Sequence, residues 1–179
     1  MRGDSALDLR RDFDRSFAEA QRVDTAERRH LLAVSIAGDP HALGVDEIGA
    51  LVADRRIVPV PSPLPELVGM AAFRGQIAPV YDLGAMLGYP PRRRQRWLVL
   101  ARHLQPVAFA FDAFEEQLSV TLDRIVPFSD DAPERSAART RVDHAVRGDD
   151  GALRPVVRLA SIIDALQRRI DAARYAKEP

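Results

Sequence analysis

The sequence contains no cysteine. That excludes a disulfide framework, a thiol nucleophile and any cysteine-based zinc site. It also lacks a run approaching the roughly 18 consecutive apolar residues that a membrane-spanning helix needs. Met1 to Arg11 alternates charged with small apolar residues and has no apolar centre of a secretory leader, so the expected location is cytoplasmic. Nor does either sign of charge prevail. Lys plus Arg and Asp plus Glu number 26 each, so no global field draws nucleic acid or an anionic membrane. No phosphate-binding glycine loop, nucleophile elbow or H-E-x-x-H motif is present. The four histidines (His30, His41, His103 and His144) have no metal-ligand spacing and are expected at the surface or in an interface. Asp130-Asp131 and Asp149-Asp150 lack the alternating ligands of a calcium loop. The expectation is a protein without catalytic residues, metal or cofactor.

What is there is enough for one globular domain. Of 179 residues, 46% are hydrophobic and 29% charged, long and apolar enough to bury a core unaided. Leu9, Phe13 and Phe17 recur every fourth residue between Ala6 and Ala20, which predicts an amphipathic helix for packing or for docking in a partner's groove. Beyond a polar stretch from Asp24 to His30 the pattern changes to short strands. Leu31–Ile36 and Ala42–Val45 flank a Gly38-Asp39-Pro40 turn, and Gly69–Phe73 and Gln76–Tyr81 flank Arg74-Gly75. Prolines 59, 61, 63 and 65 fix an extended connection, either a stiff surface strap or a polyproline ligand. Asp82 is placed to cap a short helix, Leu83–Leu87, ended by Gly88. Strands are expected at Trp97–Ala101, Val107–Phe111, Leu118–Leu122, Ile125–Phe128, Val142–Arg147 and Leu153–Leu159, followed by a helix with Ile162, Leu166, Ile170 and Ala173 on one stripe. No repeat of 20 to 50 residues is visible. Many short strands with Gly and Pro turns argue for a barrel or sandwich. One basic run, Arg92-Arg93-Arg94-Gln95-Arg96 before Trp97, reads as a solvated loop or anionic protein contact, with single-stranded nucleic acid as the competing reading.

The stretch Gly69-Met70-Ala71-Ala72-Phe73-Arg74-Gly75-Gln76-Ile77-Ala78-Pro79-Val80-Tyr81-Asp82-Leu83 resembles the hallmark of CheW-like domains, a glycine and apolar residues before Asn-Leu-Arg-Gly and a strand ending Pro-Val-x-Asp-Leu. The resemblance continues in order through Leu31–Ile36, Ala42 to Ile48, Val58-Pro59-Val60-Pro61, Val107–Asp112 and Val156–Leu166. It implies a mainly β fold of two small five-stranded SH3-like barrels sharing a core, here with an N-terminal and a C-terminal helix. It further implies a non-enzymatic adaptor that couples the cytoplasmic tip of methyl-accepting chemoreceptors to the regulatory domain of a CheA-type histidine kinase, without inserting into a membrane. Carried over by position, the partner-binding residues are Val45, Glu47, Ile48, Gly69, Phe73, Arg74 and Gly75, with Leu9, Phe13 and Phe17 as a further docking stripe. The expected division is an extension over 1–29, the CheW-like domain over 30–170 and a tail over 171–179. Ala72 and Phe73 stand where the family pattern has Asn and Leu. That departure, with the extra helix, keeps open an accessory scaffold in a non-flagellar two-component pathway, and a small nucleic-acid-binding barrel is the alternative from another class.

Overall fold

A computed structural model of the protein describes residues 27–91, 95–128, 142–148 and 151–175. The expected first helix and the arginines at 92, 93 and 94 lie outside the described residues. Among the described residues eleven strands form a six-stranded and a five-stranded sheet. The first sheet takes β1 (Arg28–Ile36), β2 (Asp39–Gly44), β8 (Ala113–Thr121), β9 (Ile125–Pro127), β10 (Val142–Arg147) and β11 (Leu153–Val157), in the order β8-β1-β2-β11-β10-β9. The second takes β3 (Ile48–Ala53), β4 (Leu67–Phe73), β5 (Gln76–Asp82), β6 (Trp97–Ala101) and β7 (Ala108–Phe111), in the order β3-β6-β7-β5-β4. Among the described residues two helices complete the fold, α1 (Leu83–Met86) and α2 (Leu159–Tyr175).

The two sheets repeat one plan. Along β1-β2-β11-β10-β9 the neighbours pair antiparallel, parallel, antiparallel and antiparallel. Along β4-β5-β7-β6-β3 they pair in the same sequence of directions. β8 is the strand added to the first sheet, beside β1. Each plan starts from a hairpin with a two-residue loop whose residues both have positive φ: Ala37 and Gly38 at 56° and 90°, Arg74 and Gly75 at 45° and 87°. That is the geometry matched to the right-handed twist of the flanking strands. The first turn therefore falls one residue earlier than the sequence pattern suggests, and Asp39 and Pro40 belong to β2.

Strand alternation sorts the apolar residues into three cores. Leu32, Val34, Ile36 and Leu43 of the first sheet meet Tyr81, Val99, Phe109 and Phe111 of the second, roofed by Ile162, Ile163 and Leu166 of α2. The opposite face of the second sheet buries Ala71, Phe73, Ala78, Val80 and Leu98. The opposite face of the first buries a smaller set: Leu31, Ala42, Val120 and Val146. Asp82 caps α1 as expected, its Oδ1 accepting the Ala85 N–H at 3.0 Å. Other expectations are corrected. β3 has no counterpart in the strand pattern read above, and β8 starts at Ala113 instead of Leu118. His41 is a buried strand residue, not a surface one: it is 5% exposed, its Nδ1 lies 3.0 Å from the Asp39 carbonyl, and Tyr89 packs edge-on to its ring.

Candidate functional site

The β4–β5 hairpin shows why particular residues are inside or out. Gly69 sits at φ +153° where β4 pairs with the proline strap: the Val58 N–H donates to the Met70 carbonyl and the Met70 N–H to the Val58 carbonyl, each at 2.8 Å. A Cβ on Gly69 would lie 2.3 Å from the Val58 carbonyl oxygen, so only glycine permits this approach. Inward from the hairpin point Ala71, Phe73, Ala78 and Val80, all buried. Outward point Met70, Ala72, Ile77 and Pro79, in register as Met70 opposite Pro79 and Ala72 opposite Ile77. Val58 extends the row beside Met70. Ile77 is 67% and Val58 51% exposed. A solvated strand face ordinarily carries polar residues at these positions; here an apolar strip crosses three chain segments. Arg74 and Gly75 stand exposed at its tip. Because β5 lies parallel to β7 with Val80 beside Ala108, the β6–β7 connection with the fully exposed Leu104 is at the same end of the sheet.

The residues around Glu47 have another task. Glu47 closes a 3₁₀ turn, Val45–Glu47, between β2 and β3. Its carboxylate reaches the start of α2, where the Leu159 N–H donates to Oε2 at 3.0 Å and the Ala160 N–H to Oε1 at 3.1 Å. The first turn of α2 has no acidic residue of its own, so Glu47 provides the charge that the positive helix end favours. Next to it Arg158 donates to Asp143 Oδ2 at 2.6 Å, and that hydrogen bond, reinforced by the Asp143 charge, raises the pKa of the guanidinium. Further along α2, Arg169 grips both carboxylate oxygens of Glu66, just ahead of β4. The helix that follows the first sheet is thus fastened to the second at two places.

Of the seven sequence-based contact residues, then, Arg74 and Gly75 are on the open surface. Phe73 is 2% exposed, turned by strand alternation into the second sheet's interior. Gly69 is buried and serves backbone approach. Val45 and Ile48 are half-buried where the sheets meet, packed on the shared core, and Glu47 is half-buried as the helix cap. Leu9, Phe13 and Phe17 lie outside the described residues. Sequence reasoning passed over Ile77 and Val58. The signal was available in β5, where Gln76-Ile77-Ala78-Pro79-Val80 alternates apolar on both faces. Of the basic run, Arg96 is held by Asp54, its Nε 3.0 Å from both carboxylate oxygens, and Trp97 packs on Phe114 with ring centroids 5.4 Å apart. Among the described residues no group of three or more potential ligands clusters for a metal ion, and no helix is long and apolar enough to cross a membrane.

The doubled sheet plan and closing helix have a counterpart among known proteins. The family model for the CheW-like domain matches residues 30–167. The chain belongs to the CheW-like domain family. Its fold is similar to the crystal structure of the scaffolding protein TtCheW from Thermoanaerobacter tengcongensis, with a TM-score of 0.63 at 20% identity, covering 74% of this chain and 90% of that one. No curated protein matches the sequence at a significant level. In the CheW-like frame, the mainly β fold that the hairpin motif implied is the one observed; where two five-stranded barrels were expected there are two sheets, the first six-stranded because β8 is added to it.

Proposed function

We propose that this CheW-like protein is a non-enzymatic cytoplasmic adaptor that couples the cytoplasmic tip of methyl-accepting chemoreceptors to the regulatory domain of a CheA-type histidine kinase. The observation that carries the reading is the apolar strip of Val58, Met70, Ala72, Ile77 and Pro79 on the outer face of a rigid hairpin. Contiguous exposed apolar surface on a soluble protein marks an interaction site. Protein interfaces combine such a centre with a charged rim, and Arg74 at the tip supplies one. In this reading the strip docks the kinase domain, and Val45 and Ile48, at the junction of the sheets, contact the receptor.

Ala72 favours an accessory role as the second reading. It is exposed directly opposite Ile77, so this chain sets a methyl group in the strip at a position where the family pattern has an amide. A partner that met that amide with hydrogen bonds would be replaced by one with an apolar complement. The deciding experiment is calorimetric titration of the protein with CheA-type regulatory domains from flagellar and non-flagellar pathways of the same cell. Binding to one class identifies the pathway. Failure to bind either, together with binding to single-stranded nucleic acid that weakens steeply with salt, would overturn the adaptor reading.

A further inference from the structure

A sheet edge is an unfinished hydrogen-bond ladder, and soluble proteins usually shield one with charge, proline or a very short strand. Three of the four sheet edges carry such a shield. β8 presents Glu115 and Glu116, both exposed, β9 has three residues and ends on Pro127, and β4 is crossed by Val58 of the proline strap. β3 has none. Ile48-Gly49-Ala50-Leu51-Val52-Ala53 holds neither charge nor proline, and every one of these residues is half-buried or exposed. Among the described strands β6 alone pairs with it. The Asp54 N–H donates to the Arg96 carbonyl at 2.9 Å, in line with the pairs Val52–Leu98 and Ala50–Leu100. Alternate residues of an antiparallel ladder turn their backbone groups to opposite sides, so Leu51 and Ala53 direct N–H and C=O away from β6. The register shift between Ile48 and Ala50 falls before this stretch and leaves it regular.

What flanks the strand selects the occupant. Asp46 is exposed just before β3, and Arg55 and Arg56 are exposed just after it. Asp54 adds no free charge there, because Arg96 holds both of its carboxylate oxygens. The strand is thus acidic at its start, apolar along its length and basic at its end, a pattern complementary to itself when two copies run antiparallel. We propose that the β3 edge is a homodimer contact, in which two copies pair β3 to β3 about a two-fold axis and join their five-stranded sheets into one. With Val52 opposite Val52 of the second copy, Leu51 faces Ala53 of that copy, and the open backbone groups of both residues are satisfied. The same register sets Arg55 and Arg56 beside Gly49 and Ile48 of the second copy, next to its Asp46. A parallel arrangement would set like charges together instead. The contact uses the same patch on both copies, so it closes at a dimer. The inference does not rest on the docking reading above.

The test is sedimentation equilibrium of the full chain over a range of concentrations, with variants at the two ends of the strand. The expected result is a monomer–dimer equilibrium that Arg55→Glu with Arg56→Glu weakens by about tenfold or more, exposed ion pairs being replaced by repulsion. Adding Asp46→Arg to that pair restores the dimer, which a misfolded variant could not do. Because the chain has no cysteine, Val52→Cys gives a second reading. Directly opposite side chains in such a pair lie close enough for a disulfide. Mild oxidation should therefore link two copies of the Val52→Cys variant and leave an Ile77→Cys control unlinked. A chain that stays monomeric at every concentration, a dimer indifferent to the charge reversals, or linkage of the Ile77→Cys variant alone would each overturn the proposal.

Discussion

Glu47 accepts the backbone N–H of Leu159 across 112 positions of sequence, at 3.0 Å. A residue that resemblance marks as a contact residue is, in this chain, the cap of the closing helix. The distinction has consequences because capping and docking respond differently to substitution. Glu47→Ala is expected to cost about 1–2 kcal/mol, from the lost cap and the lost charge at the helix end. In a domain of this size that lowers Tm by roughly 2–8 °C. Glu47→Gln should lose less than Glu47→Ala, since its amide oxygen still accepts one N–H. Urea denaturation of the three proteins measures the series; equal stability would show that the cap carries no weight.

Ile77→Asp places a charge in the middle of the apolar strip. Ile77 is largely solvated in the free protein, so stability should change by no more than about 0.5 kcal/mol. Binding to the kinase regulatory domain should weaken by about 30-fold or more, the 2 kcal/mol of a hot spot. Calorimetric titration beside a thermal melt separates the two effects. Unchanged affinity in a folded variant would exclude the strip as the docking surface.

Gly69→Ala tests the opposite kind of position. The new methyl would sit 2.3 Å from the Val58 carbonyl oxygen, a backbone atom that cannot turn aside. Breaking the Val58–Met70 bridge and straining the backbone is expected to cost about 2–4 kcal/mol. Hydrogen exchange should show the Val58 and Met70 amides losing protection before the rest of β4.

Arg74→Gly is a milder change with a sharper reading. Arg74 holds φ at 45°, which costs a non-glycine residue about 1–2 kcal/mol. Glycine removes that cost but adds flexibility to the unfolded chain, about 0.4–1 kcal/mol in the other direction. Stability should therefore stay equal or rise by up to about 1.6 kcal/mol, while partner affinity falls with the lost guanidinium. An affinity that also holds would remove Arg74 from the docking surface; Arg74→Glu should reduce affinity further without unfolding the protein.

The Asp123 carboxylate is held below its usual pKa of 3.8, chiefly by the Thr121 hydroxyl that donates to it. A depressed folded-state pKa means the contribution to stability is present above the unfolded value and is lost as the pH falls through the folded one. Thr121→Val should move the Asp123 titration upward in carbon-detected NMR and flatten the acid limb of the stability curve. A titration that stays in place would assign the shift to the backbone N–H and the Arg124 charge instead.

What the sequence determined by itself was local. Trp97–Ala101 and Val142–Arg147 are strands over the residues their composition indicated, and Asp82 and Gly88 bound a helix at the expected place, because these features depend on near neighbours and turn chemistry. The hairpin motif around Arg74-Gly75 was legible for the same reason, and it carried the family. β3 was not: Ile48-Gly-Ala-Leu-Val-Ala lacks alternation because both of its faces are half-buried, one on the shared core. The doubled sheet plan leaves no sequence repeat, since direction and order of pairing constrain polarity at each position but not identity. Which side of β4 and β5 faces solvent was decided by the packing of Phe73 and Val80 inside, and that is what exposes Ile77. The bond from Glu47 to Leu159 was beyond any local pattern. Its partners are backbone N–H groups, which every non-proline residue possesses, so only the tertiary fold selects which of them the carboxylate meets.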